Sequence, residues 1–249
     1  MGSSDILEIF SIYGQASTSS FEASRVLMQF PVDDISTDRT NLKIPESGSV
    51  NFYMKMFNAP HGQPLAKGFS LVVRPISASW QEGSGLDMET YEDETYEGIG
   101  SNWLFAASRT LWNEPGGDYL VGQHTEANGN KGRHKRIYSA SFPNGIEDLE
   151  VNITNLVEDW ISSTKAGAKS NYGVGVHLFE TQETGSALAD DAASYYTKKF
   201  FARGSEFFFK RPCIEARWDS SIKDDRGNFF LSSALAPSDD NVNTLHFYN

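Results

Sequence analysis

Apolar and polar residues alternate with period two along much of this chain, the pattern of strands with one face in a core and one in water. In VNFYMKMF (50–57) Val50, Phe52, Met54 and Met56 share a face, opposite Asn51, Tyr53 and Lys55. FSLVVRPI (69–76) lines up Phe69, Leu71 and Val73; SRVLMQF (24–30) lines up Val26, Met28 and Phe30; LEVNIT (149–154) lines up Leu149, Val151 and Ile153. In YGVGVHLF (172–179) Tyr172, Val174, Val176 and Leu178 fall together, and the interleaved glycines predict a backbone or bulky ring close over the other face. His177 alternates out of the core, toward solvent or a second layer. In RPCIEARW (211–218) the proline can only open a strand or sit at an edge; beyond it Ile214, Ala216 and Trp218 point inward, and Cys213, Glu215 and Arg217 outward. Upstream, Phe200, Phe207 and Phe209 are core candidates, leaving Lys198, Lys199, Arg203 and Lys210 for the surface of a terminal hairpin.

One segment has helical spacing instead. After Thr154, NLVEDWISS places Leu156, Val157, Trp160 and Ile161 on one stripe, with Glu158 and Asp159 near the helix start and Asn155 with Glu158 matching a capping box. This predicts a short helix that caps an open end of the sandwich, with Trp160 as its plug. Residues 31–48, 82–103, 113–147 and 180–197 read as long loops, and no fixed-period repeat is present. The expected fold is therefore all-β: an antiparallel, jelly-roll-like sandwich with one short capping helix and long loops. Residues 1–23 are an N-terminal segment expected to supply the first strand, and 24–219 are the sandwich. Residues 220–249 are a linker and a strand-like TLHFYN, which pairs back on the domain or leads into a further one.

The 249 residues suffice for a proper core, and the lone Cys213 excludes an intrachain disulfide. MGSSDILEIFSIYG lacks the basic start and apolar run of an export signal, and no stretch approaches the roughly 18 apolar residues of a membrane helix. A formal charge of −12 argues against general nucleic-acid binding. The charge is uneven. EGSGLDMETYEDETYE (82–97) has no base, whereas KGRHKR (131–136) holds Lys131, Arg133, Lys135 and Arg136. Hard cations accept irregularly spaced loop carboxylates, so calcium is the metal the acidic run would suit, with Asp87, Glu89, Asp93 and Glu94 as ligands; solvated, mutually repelling acids are the alternative. No other cofactor is expected. The sequence has no GxSxG, HExxH, Walker or GxGxxG motif. The carboxylates of one glycine-flanked loop lack a rigid frame for glycoside hydrolysis, and nothing selects one pair from ten tyrosines and five histidines for lyase chemistry.

The order of elements carries a resemblance: SRVLMQF, VNFYMKMF, a strand into PISASWQEG, GIGSNW, LEVNITNLVEDWI, NYGVGVHLF and RPCIEARW, spanning about residues 24–219. Its most specific parts are Ser79, Trp80 and Glu82; Thr154, Leu156, Val157 and Trp160; Asn171, Tyr172 and Gly173; and Arg211 with Pro212. In these the chain resembles the DNRLRE domain family, jelly-roll-like β-sandwiches of bacterial surface and secreted proteins, some of which bind polysaccharides such as alginate. The signature stretch itself is replaced by KKFFARGSEF, with Arg203 and Glu206 in its neighbourhood, and the 104–147 insert is longer than in the family. The aromatic, Asn-rich style without an export signal is similar to that of structural proteins of marine tailed bacteriophages, which lysis releases without secretion.

The resemblance implies a non-catalytic structural or adhesion module of a virion, in head, neck or tail. Its partners would be other virion proteins, copies of itself, or host surface polysaccharide; neither nucleic acid nor membrane insertion is expected. Tyr91, Tyr96, Trp103 and Trp112 are the candidate contact aromatics, with anchoring of the loops as their alternative role. A carbohydrate-binding module for acidic polysaccharide is the second reading, in which Lys198, Arg203, Lys210 and Arg211 form one groove with an aromatic platform. A polysaccharide-active enzyme is the third.

Overall fold

The computed structural model describes residues 2–13, 21–62, 65–85, 100–120, 137–162, 170–183 and 194–219. Met1–Arg217 form one compact unit; of the second, Trp218–Asn249, only the first two residues are described. The strands are β1 (Ile6–Tyr13), β2 (Phe21–Ala23), β3 (Val26–Met28), β4 (Val50–Met56), β5 (Phe69–Pro75), β6 (Phe105–Ala107), β7 (Thr110–Leu111), β8 (Tyr138–Phe142), β9 (Leu149–Asn152), β10 (Val174–Leu178), β11 (Ser194–Phe201) and β12 (Cys213–Trp218). The helices are α1 (Val32–Thr40), α2 (Thr154–Ile161) and α3 (Glu180–Glu183).

The expected all-β, sandwich-like architecture holds, in antiparallel sheets. One layer runs β3-β10-β5-β8. The facing strands are β12-β4-β9 and β11-β1-β2, and the chain leaving β4 joins them: Asn58 bridges Phe200, Ala59 N–H donates to Lys199 O (3.0 Å), and Phe201 N–H donates to Phe57 O (3.0 Å). Between the layers lies one core, built from the predicted faces: Phe52, Met54 and Met56 of β4, Phe69, Leu71 and Val73 of β5, Leu149 and Val151 of β9, and Val174, Val176 and Leu178 of β10. Ile214 and Ala216 pack against it as expected, whereas Trp218, at the last position of β12, is exposed.

Helix α2 forms where the spacing predicts it and buries Leu156, Val157 and Trp160 at the sandwich end. Its start differs from the expected capping box. Ile153 takes the N-cap position without a side-chain cap; Thr154 Oγ1 accepts from Phe52 N–H (2.8 Å) and donates to Asn152 Oδ1 (2.7 Å). Glu158 instead receives both terminal nitrogens of Arg39 (2.8 and 2.7 Å) from α1. Helix α1 lies inside a segment expected to be loop, because VDDISTDRT buries only Val32 and has no apolar stripe. Its signals are electrostatic: Asp33 and Asp34 in the first turn and Arg39 in the last, each matched to the helix dipole. Among the described residues three α-helices thus stand where a single one is expected. Strand β8 also lies in a predicted loop; its small polar residues masked a face of Tyr138, Ala140 and Phe142 that meets the core.

Strand β10 is buried on both faces. Its outer side is covered by the 100–120 insert through a second apolar cluster of Ile76, Ala106 and Trp112, with Leu27, Trp80, Tyr119 and Tyr172 against it. The glycine signal is explained here: a Cβ on Gly175 would sit 2.4 Å from the Tyr119 ring. Gly175→Val is accordingly expected to lower stability by about 1–3 kcal/mol, the usual penalty for overpacking. Urea denaturation checks it; a loss below about 0.5 kcal/mol, typical of surface changes, would show that the insert does not press on β10.

Candidate functional site

Of the residues singled out in the sequence, Trp103, Trp112, Arg203 and Arg211 line one open groove, with Phe208 and Phe209 on its rim. Lys210 is next to them in the chain. The rim is built by a tight local fold. After β11, Ala202 N–H donates to Asp5 O (2.7 Å), and Ser205 is buried with its carbonyl turned toward Arg211, whose Nε and Nη2 donate to it (2.9 and 2.8 Å). Phe208–Lys210 then form a 3-10 turn, and Pro212 lets β12 begin. This turn corrects the assignment of Phe207 and Phe209 to the core. With backbone donors committed to the turn, the strand alternation is lost, and Phe208 and Phe209 are 67% and 89% exposed.

Cations frame these rings. The Arg211 guanidinium lies 5.3 Å from the Phe208 ring centre, and Lys210 Nζ lies 5.0 and 5.3 Å from those of Phe201 and Phe207. Phe208 and Phe209 meet edge to face at 5.5 Å. Arg203 pairs with Glu82 at 3.1 Å, with both side chains exposed, so that pair leaves its guanidinium free to exchange partners. Trp103 is half-buried under the Arg25 guanidinium (4.9 Å). Trp112, expected at a contact surface, is buried, because its ring closes the second apolar cluster and its Nε1 donates to Asn102 O (2.9 Å). It therefore takes the anchoring role. Cys213 lines the same groove half-buried, where burial raises its thiol pKa and disfavours the reactive thiolate.

Lys198 does not join the basic strip. It is 1% exposed, on the inward face of β11 with Phe200, paired in register with Ile9. Its Nζ donates to Asn58 Oδ1 (2.7 Å) and Gly145 O (2.8 Å) and lies 5.0 and 5.1 Å from the Phe142 and Phe200 ring centres. Burial pushes its pKa down to about 8.

A buried polar centre that the sequence did not single out ties the insert to the sandwich. Arg25 Nε and Nη2 donate to the two carboxylate oxygens of Glu183 (2.8 and 2.6 Å), and its Nη1 donates to Gly116 O (3.0 Å). Tyr119 OH donates to the same carbonyl (3.0 Å), and its ring lies 5.5 Å from that of His177. Such a tyrosine and histidine invite comparison with lyase chemistry. Neither residue lines the groove, however, and His177 is 3% exposed, so the pair serves packing. The nearby carbonyl of Leu178, 2.7 Å from His177 Nδ1, makes Nδ1 the protonated nitrogen, and Nε2 has no partner among the described residues. Burial pushes the imidazole pKa down to about 4. The sequence cue to this centre is Gly175 of β10, against which the Tyr119 ring packs.

Tyr91, Tyr96, Asp87, Glu89, Asp93 and Glu94, and with them the calcium expectation, lie outside the described residues, as does the 131–136 basic run. Among the described residues no group of three or more His, Cys, Asp or Glu could hold a metal, and no helix is long and apolar enough to cross a membrane. Comparison with protein-family models, curated proteins and solved structures finds no match.

Proposed function

We propose that this chain is a non-catalytic structural and adhesion module that works by docking, in the setting its sequence style suggests: a bacteriophage particle, against other virion proteins or copies of itself. The carrying observation is the exposed Phe208–Phe209 pair beside Lys210 and Arg211, on a turn that a buried carbonyl and a guanidinium hold rigid. Exposed aromatic rings flanked by arginine are the usual centre of a protein contact, and a pre-formed turn loses little entropy on binding. The jelly-roll connectivity and the kinship with DNRLRE domains belong to the same proposal. Electron microscopy of the native assembly tests it: particle membership requires repeated copies whose contacts cover this turn. Phe208→Ser with Phe209→Ser should weaken assembly about tenfold or more while changing the stability of the isolated chain by less than about 0.5 kcal/mol. Assembly at full strength in that variant, measured by sedimentation with its partners, would refute the contact.

A second reading has an observation of its own. Arg203 and Arg211 share one groove with exposed rings, three of the four basic residues named for polysaccharide binding lie in the 203–211 segment, and only Lys198 is withdrawn from it. A carbohydrate-binding module for acidic polysaccharide would use this face. Alginate binding that disappears with Arg203→Ala and Arg211→Ala, by a chain that stays monomeric, would favour it.

A further inference from the structure

We propose that Lys198 and Asn58 join in an intrachain amide bond that links β11 to the segment leaving β4. The two residues are 140 positions apart, yet the Lys198 amine rests 2.7 Å from the carboxamide oxygen of Asn58. The backbone holds both partners. Asn58 pairs with Phe200, two residues beyond Lys198, and Asp148 Oδ1 accepts the Asn58 N–H at 2.7 Å. The amine and the carboxamide are therefore held in hydrogen-bond contact, which replaces an encounter by an effectively unimolecular step.

The step balances without any outside reagent. The Nζ lone pair adds to Asn58 Cγ; the bond from Cγ to Nδ2 breaks; a proton from Nζ ends on the departing nitrogen, and one ammonia leaves. Nothing is oxidised or reduced. The surroundings suit each stage. A neutral amine is needed, and burial pushes Lys198 down to about 8, so a sizeable fraction is neutral near physiological pH. Phe142 and Phe200 flank the amine and keep out the water that would compete as nucleophile. In the product the new amide N–H retains Gly145 O, already 2.8 Å from Nζ, as its acceptor. The amide also removes a buried charge that, among the described residues, two oxygens support.

The charged or titratable groups acting on this amine are Glu147 and Asp148 on the β8–β9 turn and His61 beyond Asn58. Asp148 is engaged by the Asn58 backbone, whereas Glu147 Oε2 is buried without a hydrogen-bond partner among the described residues. Burial works against the Glu147 charge, but N–H donors from its own backbone, Asn144 and Gly145 outweigh it and hold the carboxyl below the usual range. As a carboxylate near neutral pH, Glu147 favours the charged form of Lys198 through space.

Mass spectrometry of the denatured full chain, after incubation at about pH 8 to 9, reads the bond directly: about 8 is where Lys198 loses its proton. The expected mass is one ammonia below that of the sequence, and protease digestion should give a branched peptide joining the Lys198 and Asn58 segments. Lys198→Met and Asn58→Ala should each restore the full mass. Glu147→Gln should shift the pH profile of bond formation downward, because a charge that retains the Lys198 proton is gone. Full mass in folded wild-type protein, with linear Lys198 and Asn58 peptides, overturns the proposal. So does an ammonia loss that persists in Lys198→Met, which would mark a succinimide at Asn128-Gly129 or Asn144-Gly145. Should the variants fail to fold, the wild-type digest decides alone.

Discussion

Replacing Glu183 by alanine is expected to lower the stability of the fold by about 3–5 kcal/mol, the cost of leaving one member of a buried ion pair alone. The Glu183 side chain is 6% exposed and takes both Arg25 nitrogens on its two oxygens, a geometry that only a planar guanidinium supplies. The loss would not stay local. The same Arg25 holds Gly116 O and lies over Trp103 and Tyr119, so it fastens the 100–120 insert to the outer face of β10. An orphaned guanidinium must either recruit water into that face or swing out and release the insert. Equilibrium urea unfolding followed by tryptophan fluorescence reads both effects, since Trp103 loses its cationic neighbour. Arg25→Met combined with Glu183→Leu removes both charges and should recover most of the loss, because a well-packed apolar pair often replaces a buried ion pair without penalty. A single Glu183→Ala cost below about 1 kcal/mol, the range of exposed pairs, would show that this contact is solvated.

The pattern of the chain revealed what repeats locally and hid what is brought together from afar. Strands β4, β5, β9 and β10 were readable because each second residue is apolar, and α2 because its apolar residues fall on one stripe. Lys198 shows where polarity misleads. It shares a parity with Phe200, so the alternation that buries the phenylalanine buries the lysine too, and its charge argued wrongly for the surface. The error at Phe207 and Phe209 is the reverse: ring hydrophobicity argued for the core, while the turn closed by Arg211 ends the alternation. The groove is legible only in part. Arg203, Lys210 and Arg211 are close in sequence, but Trp103 and Trp112 reach it through the insert, and the packing of that insert rests on a pair 158 residues apart. No window of sequence contains such a contact.

Acid should expose the same buried centre through His177. Its pKa is pushed down to about 4 in the folded protein, by burial first and then by the positive charge of Arg25, just ahead of β3, with Arg74 on β5 adding to this; Glu183 of α3 and the Leu178 carbonyl oppose the shift in part. The unfolded chain binds a proton near 6.5 and the folded one does not. Stability is therefore fully present above about pH 6.5 and falls as the pH drops toward 4, by about 3 kcal/mol in total. Glu150 and Glu215, held below the usual range by Arg217, add their own losses only under about pH 4.5, so the upper part of the window is histidine's. His61 is shifted in the same direction by burial and Lys199, and contributes with the same sign. His177→Asn keeps a donor for the Leu178 carbonyl but has nothing to titrate. Its unfolding free energy should be nearly flat between pH 6.5 and 4.5 where that of the wild type slopes, with His61→Asn removing any remainder. Equal slopes in wild type and His177→Asn would mean that water already reaches Nε2, and that the insert does not seal the outer face of β10.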